Sequence, residues 1–299
     1  MTEYEFTLKD RLAIIRDVIN KHGEDNFYLS FSGGKDSTIL HYLLDMAVPN
    51  NHIPRVFINT GIEYNLIVGF VKTLVEKDNR FVVLKPSVAV KPMLEKYGYP
   101  FKSKEFANIY KVYQFSGKGK SVRKYLGEET SKRQMFCPNQ LKSMFERELT
   151  FKISSQCCNK LKKEPIHKWE KENHKSIGIT GMRKEEGGQR MTIKGCAVLD
   201  SKGDLKRFHP LLVVSDSWEE QFVKENNIEL CDLYKEPFNF KITGCKGCPF
   251  SLDIQEQLEI MEKYLPNERQ QCEFIWKPVY EEYRRLNYRL KNIEKVKLF

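Results

Sequence analysis

Residues 26–40 read Asn-Phe-Tyr-Leu-Ser-Phe-Ser-Gly-Gly-Lys-Asp-Ser-Thr-Ile-Leu, and the centre of this stretch, Ser32-Gly33-Gly34-Lys35-Asp36-Ser37, holds the residue types needed to grip a pyrophosphate. Gly33 and Gly34 let the backbone turn sharply and bring bare N–H groups against an anion. A helix starting at Asp36 or Ser37 would add unpaired donors and a partial positive charge. Lys35 supplies a full charge, and Ser32 and Ser37 supply hydroxyls. The Walker A loop is excluded, because it needs four residues between its first Gly and the Gly-Lys pair. A second constellation consists of thiols: Cys157-Cys158, then Cys245-Lys246-Gly247-Cys248-Pro249. A Cys-x-x-Cys with Gly inside it is a knuckle tight enough to aim two thiolates at one site. Four cysteines suit Zn²⁺ or an iron–sulfur cluster. Adjacent cysteine side chains diverge, which favours two irons of one 4Fe–4S cluster over a single tetrahedral zinc.

The elements that must position these groups alternate in type. Thr7 to His22 has the apolar spacing of an amphipathic helix stopped by Gly23. The run before the Gly-Gly turn is a buried strand, and a helix follows it through Leu44, ending before Pro49. Arg55–Ile58 is a second strand, Ile62–Lys77 a helix and Phe81–Leu84 a third strand. Such alternation predicts an α/β fold with a doubly wound, mostly parallel sheet. Ligands of these sheets sit beyond the carboxyl ends of the strands, where the Gly-Gly loop falls. Residues 104–155 read as helices with basic faces, broken at Ser116-Gly117-Lys118-Gly119-Lys120, and Ser176–Thr180 as a strand. From Ser251 onward the pattern is helical, with breaks at Pro266 and Pro278. The expected organisation is a nucleotide-binding domain over 1–250 and a C-terminal helical cap over 251–299.

Whole-chain properties narrow the function classes. The 299 residues are 40% hydrophobic and 30% charged, as in globular proteins. No apolar run approaches the ~18–20 residues that span a membrane. Met1-Thr2-Glu3-Tyr4-Glu5 carries acids where a secretory signal carries bases, so a cytoplasmic location is expected. Eight cysteines in a reducing compartment argue for metal or redox use. Net charge is +10, and residues 116–175 hold 15 Lys/Arg against 7 Asp/Glu, a surface suited to nucleic acid or another polyanion. Cys137, Cys196, Cys231 and Cys272 are expected to be small buried hydrophobes. Among them Cys137, after a basic stretch, is the one a lowered pKa would make a redox thiol.

Ser32–Ser37 resembles the PP-loop of the ATP pyrophosphatase (adenine nucleotide alpha-hydrolase) superfamily. Asn59-Thr60-Gly61-Ile62-Glu63-Tyr64 is similar to a segment that follows the second strand in its phosphoadenosine phosphosulfate (PAPS) reductase branch. Gly98-Tyr99-Pro100-Phe101-Lys102-Ser103-Lys104 looks like a Gly-x-Pro-x-x-Ser-Lys stretch of many members. Thr180-Gly181-Met182-Arg183, continuing to Arg190, resembles the Thr-Gly-x-Arg motif, with Gly187 where Ser is usual. Phe208-His209-Pro210-Leu211 and Ser217–Val223 look like the family's Pro-Leu strand and following helix. The split cysteine set resembles the cluster signature of adenylyl-sulfate (APS) reductases. Together these cover about residues 26–250, and the chain is identified as a member of the PAPS reductase family. The resemblance implies nucleotide binding by Ser32, Gly33, Gly34, Lys35, Asp36, Ser37, Asn59, Thr60, Gly61, Glu63, Lys104, Thr180, Gly181, Arg183 and Arg190. It implies catalytic roles for Lys35, Asp36 and Arg183, and metal ligation by Cys157, Cys158, Cys245 and Cys248.

Two departures bear on the reaction. The sulfonucleotide reductases use a cysteine near the C-terminus in a Glu-Cys-Gly-x-His context, whereas residues 292–299 read Asn-Ile-Glu-Lys-Val-Lys-Leu-Phe and Cys272 lacks that context. Their PP-loops are often degraded, whereas this one is intact. Both favour ATP with Mg²⁺ as substrate, adenylation of an acceptor and pyrophosphate release. A sulfur transferase is expected, with a 4Fe–4S cluster (or Zn²⁺), a nucleic-acid acceptor at 116–175, a sulfur or electron donor protein, and no membrane partner. The alternatives are a divergent APS/PAPS reductase releasing sulfite and a nucleotide-binding accessory protein of a defence or mobile-element system.

Overall fold

The computed structural model describes residues 1–130 and 136–291, apart from the side chain of Gln189. In chain order the elements are α1 (Glu3–His22), β1 (Phe27–Phe31), α2 (Lys35–Ala47), β2 (Arg55–Ile58), α3 (Asn65–Lys77), β3 (Phe81–Leu84), α4 (Val90–Tyr97), α5 (Lys104–Ser116) and α6 (Lys120–Leu126). They continue with α7 (Asn139–Lys142), α8 (Glu164–Glu172), β4 (Ile177–Ile179), β5 (Ala197–Leu199), β6 (Leu205–Phe208), α9 (Asp216–Glu225), α10 (Ile254–Tyr264) and α11 (Pro266–Arg285). Two compact units result: Met1–Asn59 with Asn65–Lys85 and Pro165–Thr243, and Thr60–Tyr64 with Pro86–Glu164 and Gly244–Phe299. No helix among the described residues is long and apolar enough to cross a membrane.

The first unit is an α/β layer structure around a six-stranded sheet of order β3-β2-β1-β4-β6-β5. Every pairing is parallel except β5 with β6. β1 lies inside the sheet, and Phe27, Tyr28, Leu29 and Phe31 are all buried, as parallel strands covered on both faces require. On one face Tyr28 packs with Val56, Ile166 and Trp169; the Tyr28 and Trp169 rings meet edge-on at 5.6 Å. On β4 the register partner of Tyr28 is Gly178, where a Cβ would stand 2.7 Å from the phenol oxygen. That phenol donates to Glu170 at 2.6 Å. At the amino end of β2 the fully buried Arg55 donates to Asp45 at 2.6 Å, to Asn51 at 2.7 Å and to the His41 Nδ1 at 3.1 Å. Burial and that guanidinium push His41 down to about 4.

The second unit is largely helical. α5 buries Phe106, Ala107, Ile109 and Tyr110, and α11 buries Cys272, Trp276, Val279, Tyr280 and Tyr283 along one side.

Several boundaries differ from the sequence expectation for local reasons. α1 starts earlier than Thr7, because Thr2 and Glu5 close a capping box at 3.2 and 2.9 Å. α3 starts at Asn65 instead of Ile62, since Glu63 folds back to accept the Thr60 N–H at 2.8 Å and spends those residues on a turn. Helix between 104 and 155 is confined among the described residues to α5, α6, α7 and a short 3₁₀ turn at Ser143–Glu146. Pro278 does not break the C-terminal helix. It sits inside α11, and the carbonyl of Phe274, left without its helical donor, accepts the Lys91 ammonium at 3.4 Å. Burial of that side of the helix carries it through.

Candidate functional site

At the carboxyl end of β1 the chain turns through Gly33 at φ +74°. A Cβ there would lie 2.9 Å from Ile67, so both the turn and the close approach of α3 call for glycine. Gly34 is the N-cap of α2 and offers no side-chain cap to it, so this helix start can face an anion, with its Lys35 N–H already taken by Tyr234. The loop is held by its own hydroxyls. Ser37 donates to the Gly34 carbonyl at 2.9 Å, Thr38 donates to it at 3.0 Å, and the Ser37 oxygen accepts the Ser32 N–H at 3.2 Å. From outside, the Tyr234 hydroxyl accepts the Lys35 N–H at 3.0 Å and meets Thr243 Oγ1 at 2.5 Å. Gly181, just after β4, packs so closely that a Cβ would stand 2.9 Å from the backbone of Asp36. A cavity of about 270 Å³ opens here, lined by Ser32, Gly34, Asp36, Ser37, Thr180, Gly181 and Arg190 among others.

Behind the loop lies a buried charge network. The Arg183 Nε donates to Asp36 at 2.8 Å and its Nη2 to Asp216 at 2.7 Å. Glu219, with 0% exposure, reaches Lys35 Nζ at 3.1 Å and Arg183 Nε at 3.1 Å. Burial, then the neighbouring Asp36 carboxylate, raise Glu219 to about 8 against the opposing pull of Arg183 and Lys35. Lys35 and Arg183, two of the expected nucleotide-binding cations, thus rest against carboxylates of this network. Arg190 is exposed and pairs with Glu186 at 2.6 Å.

The other predicted residues fall in the second unit, apart from Asn59, whose N–H caps β3 at the Leu84 carbonyl at 2.9 Å. Thr60 and Glu63 bond to each other, with Thr60 Oγ1 donating at 2.9 Å, and Gly61 makes the turn between them at φ +87°. Glu63 also meets Lys162 Nζ at 3.6 Å. Lys162 in turn hydrogen-bonds Cys245, the first of the neighbours that raise the pKa of this ammonium. The sulfurs of Cys157 and Cys158 are 4.0 Å apart. A hydrogen bond from Cys157 lowers the Cys158 pKa, helped by Lys104, Lys162 and Lys163, while Cys157 is raised. Burial raises Cys245, and it raises Cys248 to about 12. All four thiols act on one another electrostatically. Among the described residues, no three or more His, Cys, Asp or Glu side chains converge as a metal-ion site. The Cys-x-x-Cys backbone is braced by α11: Trp276 donates to the Lys246 carbonyl at 3.1 Å, Tyr280 to that of Gly247 and Tyr283 to that of Pro249 at 2.8 Å.

The family model of the phosphoadenosine phosphosulfate reductase domain matches residues 26–126 and 119–250. The chain belongs to this family. Within it, the two glycines, Lys35 and the Thr180-Gly181-Met182-Arg183 segment described above all fall inside the matched stretches. Over 103 residues the chain is 34% identical to an uncharacterized protein of Methanocaldococcus jannaschii, a match spanning 33% of this chain and 24% of that protein. Phosphoadenylyl-sulfate reductase from Candida auris is similar in structure, with a TM-score of 0.48 and 13% identity over 82% of this chain and 96% of that one. The U34-tRNA thiolase NcsA from Methanococcus maripaludis, solved with its 4Fe–4S cluster, gives a TM-score of 0.39 and 15% identity over 95% of this chain and 80% of that one.

For this PAPS reductase-family chain, sequence reasoning missed Tyr234, Thr243, Asp216 and Glu219. None lies at a recognisable spacing from the loop. The signal available for Glu219 was a carboxylate beside Trp218 on an amphipathic helix, which reads more simply as surface. Two expectations about the spare cysteines are corrected. Cys137 is buried, and burial pushes its thiol up to about 11 despite Lys102 and Lys142, so it is not an activated nucleophile. Cys196 is only half-buried and accepts from Arg11 at 3.4 Å, whereas Cys231 and Cys272 are buried as expected.

Proposed function

We propose that the chain is an ATP-dependent, cluster-containing enzyme of sulfur transfer. The observation that carries this reading is the complete Ser32–Ser37 loop, which starts α2 at a glycine with no side-chain cap and sets Lys35 and Arg183 behind it. Such a cradle suits the β- and γ-phosphates of ATP. An acceptor oxygen attacks the α-phosphorus, the bond to the bridging oxygen breaks, and pyrophosphate leaves with the negative charge that Lys35 and Arg183 neutralise. Mg²⁺ would shield the phosphates. The adenylated acceptor is then open to displacement of AMP by a sulfur nucleophile from a donor protein.

Cys157, Cys158, Cys245 and Cys248 would hold a 4Fe–4S cluster. The donor chemistry fits: the four thiols interact electrostatically, and Lys104, Lys162 and Lys163 favour the thiolate of Cys158. Bound there, a cluster supplies soft iron able to hold sulfur. Anaerobically purified protein should be brown and contain about four irons per chain, the content of one such cluster; stoichiometric zinc would overturn the assignment. The reaction is tested by pyrophosphate release from ATP. Sulfite formed from APS or PAPS with a thiol reductant, while ATP stays intact, would replace this reading with that of a divergent reductase. Tight nucleotide binding with no turnover would replace it with an accessory role.

A further inference from the structure

In the second unit a cavity of about 700 Å³ lies between α5 and the segment 147–153, a size within the range of roughly 300–1,000 Å³ that ligand pockets show. Its walls are tied together without a ligand. Gln114 donates to the Phe151 carbonyl at 2.8 Å and accepts the Ile153 N–H at 2.8 Å. Tyr110 donates to the Met144 carbonyl at 2.8 Å.

Two features of the lining stand out. Tyr97, Tyr113 and Phe151 present aromatic surface, and Phe115 at the rim is 93% exposed. A phenyl ring so bare on the last turn of a helix leaves its faces open to solvent among the described residues. Basic groups alternate with the rings: Lys111, Arg147 and Lys152 line the same walls with Glu148, and Arg147 already pairs with Glu282, so a phosphate there competes with that carboxylate. At Tyr97 the wall meets the Cys-Cys turn, because the Lys160 ammonium lies 4.9 Å from the ring centroid and Lys160 follows Cys158 by two residues.

We infer that this cavity is a docking groove for single-stranded nucleic acid, with bases stacked on Phe115 and its neighbours and phosphates drawn by Lys111, Arg147 and Lys152. Interleaved rings and cations are the arrangement such strands need, since every base has a face to stack and every linkage a charge. A duplex would keep its bases from the rings, and an apolar peptide would leave the cations unused. The inference builds on the proposed reaction only in naming its acceptor class, and its test requires neither ATP turnover nor a cluster.

The probe is a fluorescein-labelled oligouridylate of about 12 nucleotides, titrated with the full chain at about 50 mM salt and followed by anisotropy. Binding should weaken with salt, and Phe115→Ala should lower affinity about tenfold, within the range that stacking of one base on an aromatic side chain supports. Lys111→Glu together with Lys152→Glu should reduce the salt slope by about 1.4, the value for two single-strand phosphate contacts. ATP affinity of each variant, unchanged from the parent, reports an intact fold. The groove assignment fails if the parent chain does not bind the oligonucleotide or if Phe115→Ala binds it equally well. It fails too if polyglutamate displaces it at equal charge concentration, which would mark an acidic protein segment as the occupant. Pyrophosphate release from ATP with no oligonucleotide binding would leave the proposed reaction standing and remove this acceptor.

Discussion

The PP-loop region of the first unit and the thiol region of the second bury opposite charges in the same manner. At the loop, two cations face inward, and Asp36, Asp216 and Glu219 answer them. At the thiols, Cys158 is the group whose thiolate is favoured, with lysines 104, 162 and 163 beside it and Glu63 balancing Lys162, while burial keeps Cys245 a thiol. Each region therefore folds with its charged groups already partnered. The difference lies in what a ligand must displace. A polyphosphate competes with carboxylates for Lys35 and Arg183; a metal competes with protons and ammoniums for sulfur.

The sharpest way to break this comparison is to remove the buried carboxyl that the two cations share. Glu219→Ala should cost about 3 kcal/mol of stability near neutral pH, because Lys35 and Arg183 lose the hydrogen-bonding group between them; a urea midpoint close to the parent's would show that Lys35 and Arg183 do not depend on it. Glu219→Gln keeps the shape and removes the titration. The folded carboxyl has its pKa raised from 4.5 to about 8, so the folded state holds the extra proton between those values. Its contribution to stability is therefore full at low pH and is lost as pH rises through about 8. ATP affinity should fall over the same rise, as the ionised Glu219 competes with phosphate for Lys35. The Gln variant should flatten both profiles, and parallel profiles for the two proteins would assign the pH dependence elsewhere.

Next in size is Lys35→Ala, which removes a charge-assisted contact worth about 1.5–3 kcal/mol, or roughly ten- to 150-fold in ATP affinity by calorimetry. Unchanged affinity would mean that Glu219 keeps this lysine even in the complex. The smallest effect expected is in the other region. Tyr280→Phe deletes the phenol that α11 places on the Gly247 carbonyl and should lower stability by about 1 kcal/mol. An unmoved urea midpoint would show that Trp276 and Tyr283 suffice to brace the Cys-x-x-Cys turn.

Much of the fold was legible because its signals are local. β2 and β3 fall on the residues expected, since short apolar runs bounded by polar residues and Pro54 leave little choice of register. The loop was legible for the same reason: strand, two glycines and helix follow one another directly. What could not be read was whatever depends on distant chain segments meeting. Glu219, Tyr234 and Thr243 act on a loop about 200 residues upstream of them, and no spacing encodes that. Pro278 misled because its cost is local while its compensation, the Lys91 contact and the buried side of α11, is tertiary. Cys137 misled in the opposite sense, since neighbouring bases in sequence count for less than the desolvation of a buried thiol.

The pairing of Tyr28 with Gly178 carries a consequence for alignment. With no side chain on Gly178, the phenol lies across β4 and reaches Glu170. A slip of one residue would set Ile177 or Ile179 beneath that ring, where a branched side chain has no room, and would turn every β4 side chain to the opposite face. The mid-strand glycine therefore works as a keyway, admitting one alignment of the two strands. Thr180 and Gly181, at the end of β4, come level with the PP-loop because of a fit made in the middle of the sheet, away from any ligand.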